Sequence, residues 1–369
     1  MIINSLELYS FRNYEKETIT FDNSVNLLYG QNAQGKTNVL EALYIAATGK
    51  SHRTNTFQDL VQYGKPGFEI HLTAEIDGRT NTILLKYSRD RGRYIEINGI
   101  KRDKMSEILG TLNMILFSPE TLEVVKGSPS IRRKFLDILL CQTNRQYLYY
   151  LQKYNNLIKN KSVALKKWKT DKRYEDVLPV WNEQISVYGG KVAFLRVNCV
   201  EKLNEYMKKE IGYIAENKEV SNITYKTYCT FDKNCDEKYF ENELKLKLAQ
   251  GINREIELSQ CLIGPHRDDI EILLNGRNSR HYCSQGQQRT LALALIISEL
   301  LFIEEVKGEK PVLLLDDVMS ELDSKRREYL LNSLYDVQTI ITATDDLPFD
   351  NIKNKKVKKM QVVNGKIVC

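Results

Sequence analysis

The spacing between hydrophobic positions changes along this chain, and these changes divide it into three stretches. Up to about residue 120, short apolar runs and alternating segments such as FEIHLTAEI and NTILLKYSR predict β-strands. From 121 to 261, apolar residues recur at helical spacing, as in IRRKFLDILLCQTNRQYLYYLQKYNNLIKNK. From 262 onward, strands are predicted again. We therefore expect an α/β head formed by 1–120 and 262–369, with a compact helical arm at 121–261.

A glycine-rich stretch lies between a predicted strand and a predicted helix near the N-terminus. Val25–Tyr29 is a short apolar run typical of a buried parallel strand, and the residues after the loop are apolar at helical spacing. Between them, Gly30 and Gly35 precede Lys36 and Thr37 in the spacing of a phosphate loop, whose backbone N–H groups surround phosphate oxygens. Lys36 would reach the β- and γ-phosphates, and the Thr37 hydroxyl would hold Mg²⁺. The pattern predicts a nucleoside triphosphate site.

An acidic pair follows another apolar run, in PVLLLDDVMSELD. Val312–Leu315 is uninterrupted, as in a central parallel strand, so Asp316 falls at the carboxyl edge where α/β sheets bind ligands. We expect Asp316 to orient Mg²⁺ and Asp317 to act as a general base. Most of the chain separates the phosphate loop from Asp316, although a few βα units would suffice. The helical stretch is therefore an insertion.

The segment SQGQQRTLALALIISELLFIEE begins at Ser284 and continues into a long apolar helix. Ser284, Gly286 and the helix N-terminus form a second arrangement suited to anions, without a second phosphate loop to accompany it. We expect it to serve the nucleotide of another subunit, so that a two-fold dimer contains two composite sites. An ordinary capped helix start is the alternative interpretation.

Composition limits the class of protein. Of the 369 residues, 42% are hydrophobic and 28% charged, as in ordinary globular proteins, and no apolar stretch is long enough to span a membrane. The N-terminus lacks the basic-then-apolar pattern of a signal peptide, so we expect a cytoplasmic protein. Seven cysteines without a CxxC pair argue against a disulfide framework. The net charge of +6 permits an anionic partner. The basic runs Lys159–Arg173 and NIKNKKVKKM are either solvated faces or nucleic-acid surfaces.

Taken together, the phosphate loop, the Ser-x-Gly-Gln segment and the strand ending in two acids resemble the ABC-type ATPases of the SMC class. The segment SELD, Ser320–Asp323, resembles their D-loop. KSHRT, FSPETLEVVKGSPSIRRKFLD and GPHRDDIEILLNG make the chain similar, more narrowly, to the RecF family of bacterial recombination mediators. This resemblance extends from the first strand to at least Asp345.

The resemblance implies an ABC-type ATPase head with an inserted helical arm, ATP and Mg²⁺ as ligands, and a homodimer in the ATP-bound state. It also implies slow, DNA-stimulated ATP hydrolysis that acts as a switch. The implied role lies in recombinational repair and replication. There the protein would bind double- and single-stranded DNA near gaps, independently of sequence, and help RecR and RecO load RecA.

The resemblance also implies which residues bind ATP: Gly30, Gln31, Asn32, Ala33, Gln34, Gly35, Lys36, Thr37, Arg53, Ser284, Gly286, Gln287 and Asp323. Arg53 either reaches a phosphate or makes a contact at the end of the preceding helix. Three positions depart from the general ABC pattern: Asp317 stands where many relatives have glutamate, Gln285 replaces a glycine, and Thr344 replaces a switch histidine. The γ-phosphate sensor is therefore unassigned.

Other functions fit the sequence less well. The ATPase subunit of a transporter would need a membrane-coupling feature, and none is visible beside the large inserted arm. A GTP-binding switch would need an Asn-Lys-x-Asp motif, which the sequence lacks. A purely structural DNA-binding protein would not need ATP motifs at both ends. His266, in GPHRDD, has no evident ligand set, and Arg132 and Arg133 either face DNA or flank a helix start.

Overall fold

The structure is a computed structural model that describes residues 1–168, 177–334, 336–345 and 357–368. The strands are β1 (Ile2–Phe11), β2 (Tyr14–Thr20), β3 (Val25–Tyr29), β4 (Gly67–Ile76), β5 (Arg79–Ser88), β6 (Gly92–Ile97), β7 (Ile100–Arg102), β8 (Met114–Phe117), β9 (Ser221–Lys226), β10 (Asp269–Leu274), β11 (Arg277–Asn278), β12 (Val312–Asp316), β13 (Thr339–Ala343), β14 (Val357–Val363) and β15 (Lys366–Val368). The α-helices are α1 (Lys36–Thr48), α2 (Leu122–Lys126), α3 (Pro129–Thr143), α4 (Arg145–Trp168), α5 (Leu178–Ile214), α6 (Glu237–Leu258), α7 (Ser279–Tyr282), α8 (Gln285–Lys307) and α9 (Ser324–Ser333).

The first of two compact units comprises Met1–Glu123 and Gln285–Cys369 and contains two six-stranded sheets. One sheet is antiparallel, in the order β2-β1-β4-β5-β6-β7, and its strands alternate between buried and exposed side chains. The other has the order β15-β14-β3-β13-β12-β8 and is parallel except for the pair β14–β15. Helix α1 contacts strands of both sheets and belongs to their common hydrophobic core.

The parallel sheet explains how distant sequence segments meet. β13 pairs with β3 on one side and with β12 on the other, so the carboxyl ends of the three strands lie at one edge. The phosphate loop follows β3, and Asp316 is the last residue of β12. The predicted strand at Val25–Tyr29, the apolar strand ending at Asp316 and the helix stopping before Gly49 are all confirmed.

The second unit, Val124–Ser284, is built on the 37-residue helix α5, which packs against α4, α6 and β9. Its sheet is small and antiparallel, in the order β11-β10-β9. Buried Arg196 on α5 donates hydrogen bonds to the hydroxyl of Tyr147, the carbonyl of Pro265 and the carboxylate of Asp137. A single charged side chain therefore joins α3, α4, α5 and the segment before β10.

The structural boundaries of the two units differ from the predicted boundaries at 120 and 262. The second unit extends to Ser284 because β10 pairs antiparallel with β9, from Asp269 opposite Lys226 to Leu274 opposite Ser221. The expectation that strands after 262 complete the ATPase sheet is therefore wrong for β10. The later strands of the parallel sheet begin with β12.

Within the described residues, no helix is both long enough and apolar enough to cross a membrane. Of the basic runs, residues 169–173 and 351–356 lie outside the described part of the chain. The prediction that these positions contact nucleic acid therefore stays a prediction.

Candidate phosphate-binding site

The loop between β3 and α1 has a backbone path that requires its glycines. Gly30 has φ 148° and Gly35 has φ 117°. Residues with a side chain rarely adopt this region of backbone conformation. A Cβ atom on Gly30 would lie 2.5 Å from the carbonyl oxygen of Val362, and one on Gly35 would lie 2.6 Å from Nδ2 of Asn13. The exposed residues Gln31, Asn32 and Ala33 form the outer part of the loop, and the partly buried Gln34 follows them.

Lys36, the first residue of α1, is buried and folds back onto the loop. Its Nζ atom donates hydrogen bonds to the carbonyl oxygens of Gly30 and Gln31, at 2.5 and 2.8 Å. Burial lowers the pKa of Lys36 below its ordinary value, although the charges of Asp317 and Asp316 act in the opposite direction. The loop therefore contains a cation beside two carboxylates from the end of β12.

Thr37 and Asp316 form the polar centre of the site. The Thr37 hydroxyl donates a 2.8 Å hydrogen bond to Oδ1 of Asp316, and the Thr342 hydroxyl donates to the same oxygen at 2.7 Å. A hydroxyl and a carboxylate at this spacing are the oxygen ligands that Mg²⁺ prefers beside phosphates. The residues present therefore fit a magnesium ion held between α1 and β12.

Asp317 follows in a left-handed conformation, with φ 52°. Its backbone N–H donates to the Thr342 hydroxyl at 3.0 Å, and its carbonyl accepts a hydrogen bond from Ser320. Burial raises the pKa of Asp317, and the neighbouring charge of Asp316 raises it further. Backbone contacts on both sides thus fix the direction in which this side chain leaves the strand end.

Asn13 and Tyr14 support the loop, and the sequence analysis did not identify them. Nδ2 of Asn13 donates to the carbonyl of Gln34 at 2.7 Å, and its Oδ1 accepts from Asn38 at 2.8 Å. The Tyr14 hydroxyl donates to the carbonyl of Gly35 at 3.1 Å. The only signal is the polar pair Arg12-Asn13 between two alternating strands, which resembles an ordinary hairpin turn, and Tyr14 is the first residue of β2.

Arg53 lies near α1 but has protein partners. Its guanidinium donates to Oδ1 of Asn38 at 2.9 Å and approaches Glu41 at 3.4 Å. Glu41 is fully buried and also accepts two hydrogen bonds from Arg12 and one from Ser51. Asn38 and Glu41 lie in the first half of α1, so these contacts differ from the predicted contact at the helix end, and the phosphate role of Arg53 stays a prediction.

The Ser284 segment leads directly into α8, whose first residue is Gln285. In its first turn, the carbonyl of Gly286 accepts a hydrogen bond from the Thr290 hydroxyl, and Gln287 follows on the same helix. Nε of Arg326 donates to Oγ1 of Thr290 at 2.8 Å, and the same guanidinium forms an ion pair with Asp323. Asp323 is also the N-cap of α9.

A second ion pair, Arg289 with Glu321, connects the same helix to the same loop. Two arginines therefore tie the start of α8 to the segment Ser320–Asp323. Arg289 lies within the SQGQQRT segment but has no predicted role there, and Arg326 follows the SELD segment without belonging to it.

Three further residues have structural partners. Thr344 directly follows β13, and its hydroxyl donates to the Asp345 carboxylate at 3.2 Å. Arg132 is buried and forms a two-bond ion pair with Asp269. His266 lies between the Tyr154 hydroxyl, 2.6 Å from Nδ1, and the Cys261 carbonyl, 3.1 Å from Nε2. Burial lowers the pKa of His266 to about 4.

Comparison with known proteins identifies the family of this chain. Residues 2–367 match the family model described as the RecF/RecN/SMC N terminal domain. The DNA replication and repair protein RecF of Clostridium botulinum is 39% identical over 368 residues, covering 100% of this chain and 99% of that protein. RecF of Acetivibrio thermocellus is 40% identical over 353 residues, covering 95% of each chain.

A solved structure described as the recombination mediator protein RecF with ATP superimposes with a TM-score of 0.92 and 35% identity. The match covers 100% of this chain and 97% of that one. The fold is an ABC-type ATPase head interrupted by a helical arm. By sequence and structure, the chain belongs to the RecF family of DNA replication and repair proteins.

Proposed function

We propose that this protein is an ATP-dependent DNA-binding protein of recombinational repair and replication, in which ATP controls dimerisation and DNA binding. The observation that carries the proposal is the hydrogen bond between Thr37 and Asp316, beside a phosphate loop that already contains Lys36. This arrangement supplies a cation, two Mg²⁺-type ligands and a glycine loop at a helix N-terminus within one site. A relative of 35% identity has been solved with ATP.

Each residue of the site has a separate role in binding and hydrolysing ATP. Backbone N–H groups from Gly30 to Thr37 bind the phosphate oxygens, and the Lys36 ammonium leaves the loop carbonyls to contact the β- and γ-phosphates. Thr37 and Asp316 would hold Mg²⁺, which would neutralise part of the phosphate charge. Asp317, at the strand end, positions the attacking water and accepts its proton. Its side chain is shorter than glutamate, which favours slow hydrolysis and a switch function.

The second half of each site is proposed to come from another copy of the chain. Ser284, Gly286 and Gln287 at the start of α8 would contact the partner's γ-phosphate, and Asp323 would approach the same junction. A two-fold axis makes such contacts reciprocal, so two composite sites arise in one dimer. ATP then acts as the bridge between subunits, and hydrolysis releases them.

Binding of double- and single-stranded DNA is proposed to be independent of sequence and to occur near gaps. The net charge of +6 and the absence of a base-reading motif favour contacts with the phosphate backbone. A solved relative is described as a mediator in the RecFOR pathway. We therefore propose RecR and RecO as partners, with RecA loading as the outcome and the cytoplasm as the location.

Analytical ultracentrifugation of the full chain tests this proposal, with and without ATP, Mg²⁺ and a gapped DNA duplex. We expect a monomer without ATP, a dimer with ATP and a DNA-bound dimer with both ligands. Lys36→Met should remain monomeric under all conditions, and Lys50→Met, at an exposed position after α1, should behave as the unmodified protein. ATP-independent dimers, or no DNA binding in any state, would contradict the proposal.

A further inference from the structure

Helix α4 has an unusual charge distribution. Its 24 residues, RQYLYYLQKYNNLIKNKSVALKKW, include six basic side chains and neither aspartate nor glutamate. One side of the helix is firmly attached within the second unit: the Tyr154 hydroxyl bonds to His266, and buried Lys161 forms an ion pair with Glu255. Most residues on the opposite side are exposed.

The exposed side of α4 forms a stripe that is polar except at Val163, which lies between Lys159 and Lys166 and is 46% exposed. Tyr149, Lys153, Asn156, Lys159 and Lys166 are separated by steps of three, four or seven residues, which places them on one helix face. Neither Lys159 nor Lys166 has a carboxylate partner among the described residues. At a rise of about 1.5 Å per residue, the stripe from Tyr149 to Lys166 is about 26 Å long. Its unpaired positive charge fits an extended polyanion.

A cluster of tyrosines lies at the N-terminal end of this stripe. The ring centroids of Tyr149 and Tyr150 are 5.8 Å apart, and Tyr188 of α5 lies 6.2 Å from Tyr149 and 6.3 Å from Tyr150. Nζ of Lys153 lies 5.6 Å from the centroid of Tyr149, and Nζ of Lys191 lies 4.9 Å from that of Tyr150. Tyr149 remains 49% exposed, so its ring is available to a ligand.

The role of these rings differs from that of other tyrosines on the same helix. Tyr147 and Tyr154 are buried, and their hydroxyls bond to Asp137 and His266. Tyr149 makes no comparable core contact; its ring lies beside those of Tyr150 and Tyr188 and remains half exposed. Aromatic rings beside cations are the arrangement on which unpaired bases stack while their phosphates are neutralised.

We propose that the tyrosine cluster, Tyr149, Tyr150 and Tyr188, together with the lysine stripe of α4, binds single-stranded DNA. The lysines contact the phosphates, and the bases stack on the tyrosine rings. Duplex DNA satisfies only the first interaction, because its bases are already stacked on each other. This inference rests on the proposed DNA-binding function and specifies where the unpaired strand of a gapped substrate lies.

Fluorescence anisotropy of the full-length protein with oligothymidylate and with an abasic oligomer of equal length tests the inference. The double variant Y149A/Y188A should bind oligothymidylate about tenfold more weakly, and should bind the abasic oligomer and duplex DNA as the unmodified protein does. Tyr213→Ala is the matched control, because Tyr213 is 69% exposed on α5 and has no ring partner among the described residues. Tyr149→Phe keeps the ring and should retain full affinity.

Further outcomes separate this inference from the proposed function. Lys159→Gln and Lys166→Gln should weaken binding to both oligomers. Each substitution should also lower the slope of log K against log salt concentration by about one. Equal losses of Y149A/Y188A on oligothymidylate and on the abasic oligomer would overturn the base-stacking proposal. So would unchanged affinity for both. If the unmodified protein binds neither single-stranded nor duplex DNA, the proposed function itself fails.

Discussion

Thr37 and Asp316 are 279 positions apart in the sequence, and their side chains are joined by a 2.8 Å hydrogen bond. The bond exists because β3 and β12 both pair in parallel with β13, which aligns the loop after one strand with the last residue of the other. Thr342 on β13 donates to the same carboxylate oxygen. Three neighbouring segments therefore hold the candidate magnesium ligands in place.

Asp316→Asn tests whether the charge of this group matters more than its hydrogen bonds. The carboxamide oxygen can still accept from Thr37 and Thr342, so thermal stability should change little. We expect the Mg²⁺ dependence of ATP binding to disappear and hydrolysis to fall about 100-fold, because a neutral group no longer orients the cation. Calorimetry with and without Mg²⁺ measures the first effect. Asp90→Asn, at an exposed turn, is the matched control. Unchanged Mg²⁺ dependence would exclude Asp316 as a ligand.

The local parts of this site could be predicted from sequence, since strand, glycine loop and helix follow one another within a few residues. The strand at Val25–Tyr29 and Gly49 at the end of α1 agree with the structure for this reason. Alternation also identifies β10 as a strand, but alternation does not specify the partner of a strand. Pairing between β10 and β9 depends on contacts across more than 40 residues, which is why the predicted return to the ATPase sheet at 262 was wrong.

The supporting residues could not be predicted in the same way. Asn13 and Glu41 act through hydrogen bonds to Gln34, Arg12 and Arg53, and a single polar residue in an amphipathic segment carries no local signature of such partners. Resemblance to ABC ATPases suggested a phosphate role for Arg53, and that role stays a prediction. In the structure its guanidinium contacts Asn38 and Glu41.

Arg326 should hold the start of α8 in contact with the segment Ser320–Asp323, and we expect ATP-dependent dimerisation to need this contact. It is hydrogen-bonded to Thr290 and paired with Asp323, so Arg326→Ala removes both contacts. We expect normal ATP affinity, since the phosphate loop is untouched, but ATP-dependent dimerisation weakened about tenfold or more. Sedimentation equilibrium with ATP measures this effect. Exposed Glu328→Ala on α9 is the control. If Arg326→Ala dimerises normally, the two segments do not need this connection.

His266 predicts a specific pH dependence for the stability of the second unit. Burial lowers its pKa from 6.5 to about 4, and contacts with Tyr154 and Cys261 fix a neutral ring that donates through Nε2. The unfolded chain therefore binds the proton more tightly than the folded chain. The contribution of neutral His266 to the free energy of unfolding is therefore fully present above pH 6.5. It is lost as the pH falls toward 4.

Tryptophan fluorescence during urea unfolding measures this dependence, because both tryptophans, Trp168 and Trp181, lie in the second unit. His266→Gln should be less stable than the unmodified protein at pH 7.5, and the difference should shrink by about 2 kcal/mol at pH 5. His71→Gln, at a half-exposed position in the first unit, should leave this transition unchanged. A difference that is the same at both pH values would show that His266 does not titrate on unfolding.

Ser284 distinguishes a dimer with shared sites from every monomeric phosphate-loop protein. If the start of α8 contacts the nucleotide of a partner, Ser284→Arg leaves the phosphate loop intact and places a bulky side chain at the subunit junction. The variant should bind ATP with normal affinity, fail to dimerise and lose hydrolysis. Lys36→Met should instead lose ATP binding itself, because the ammonium group that contacts Gly30 and Gln31 is absent.

Mixing the two variants gives the decisive result. In a mixed dimer, one composite site combines Lys36→Met with Ser284→Arg, and the other site contains neither substitution. A fraction of the ATPase activity should therefore return in the mixture, whereas each variant alone stays inactive. Native mass spectrometry shows whether mixed dimers form, and activity is then measured across a series of mixing ratios. Mixed dimers without any recovered activity would contradict reciprocal sites. Full activity of Ser284→Arg as a monomer would show that one chain is sufficient for hydrolysis.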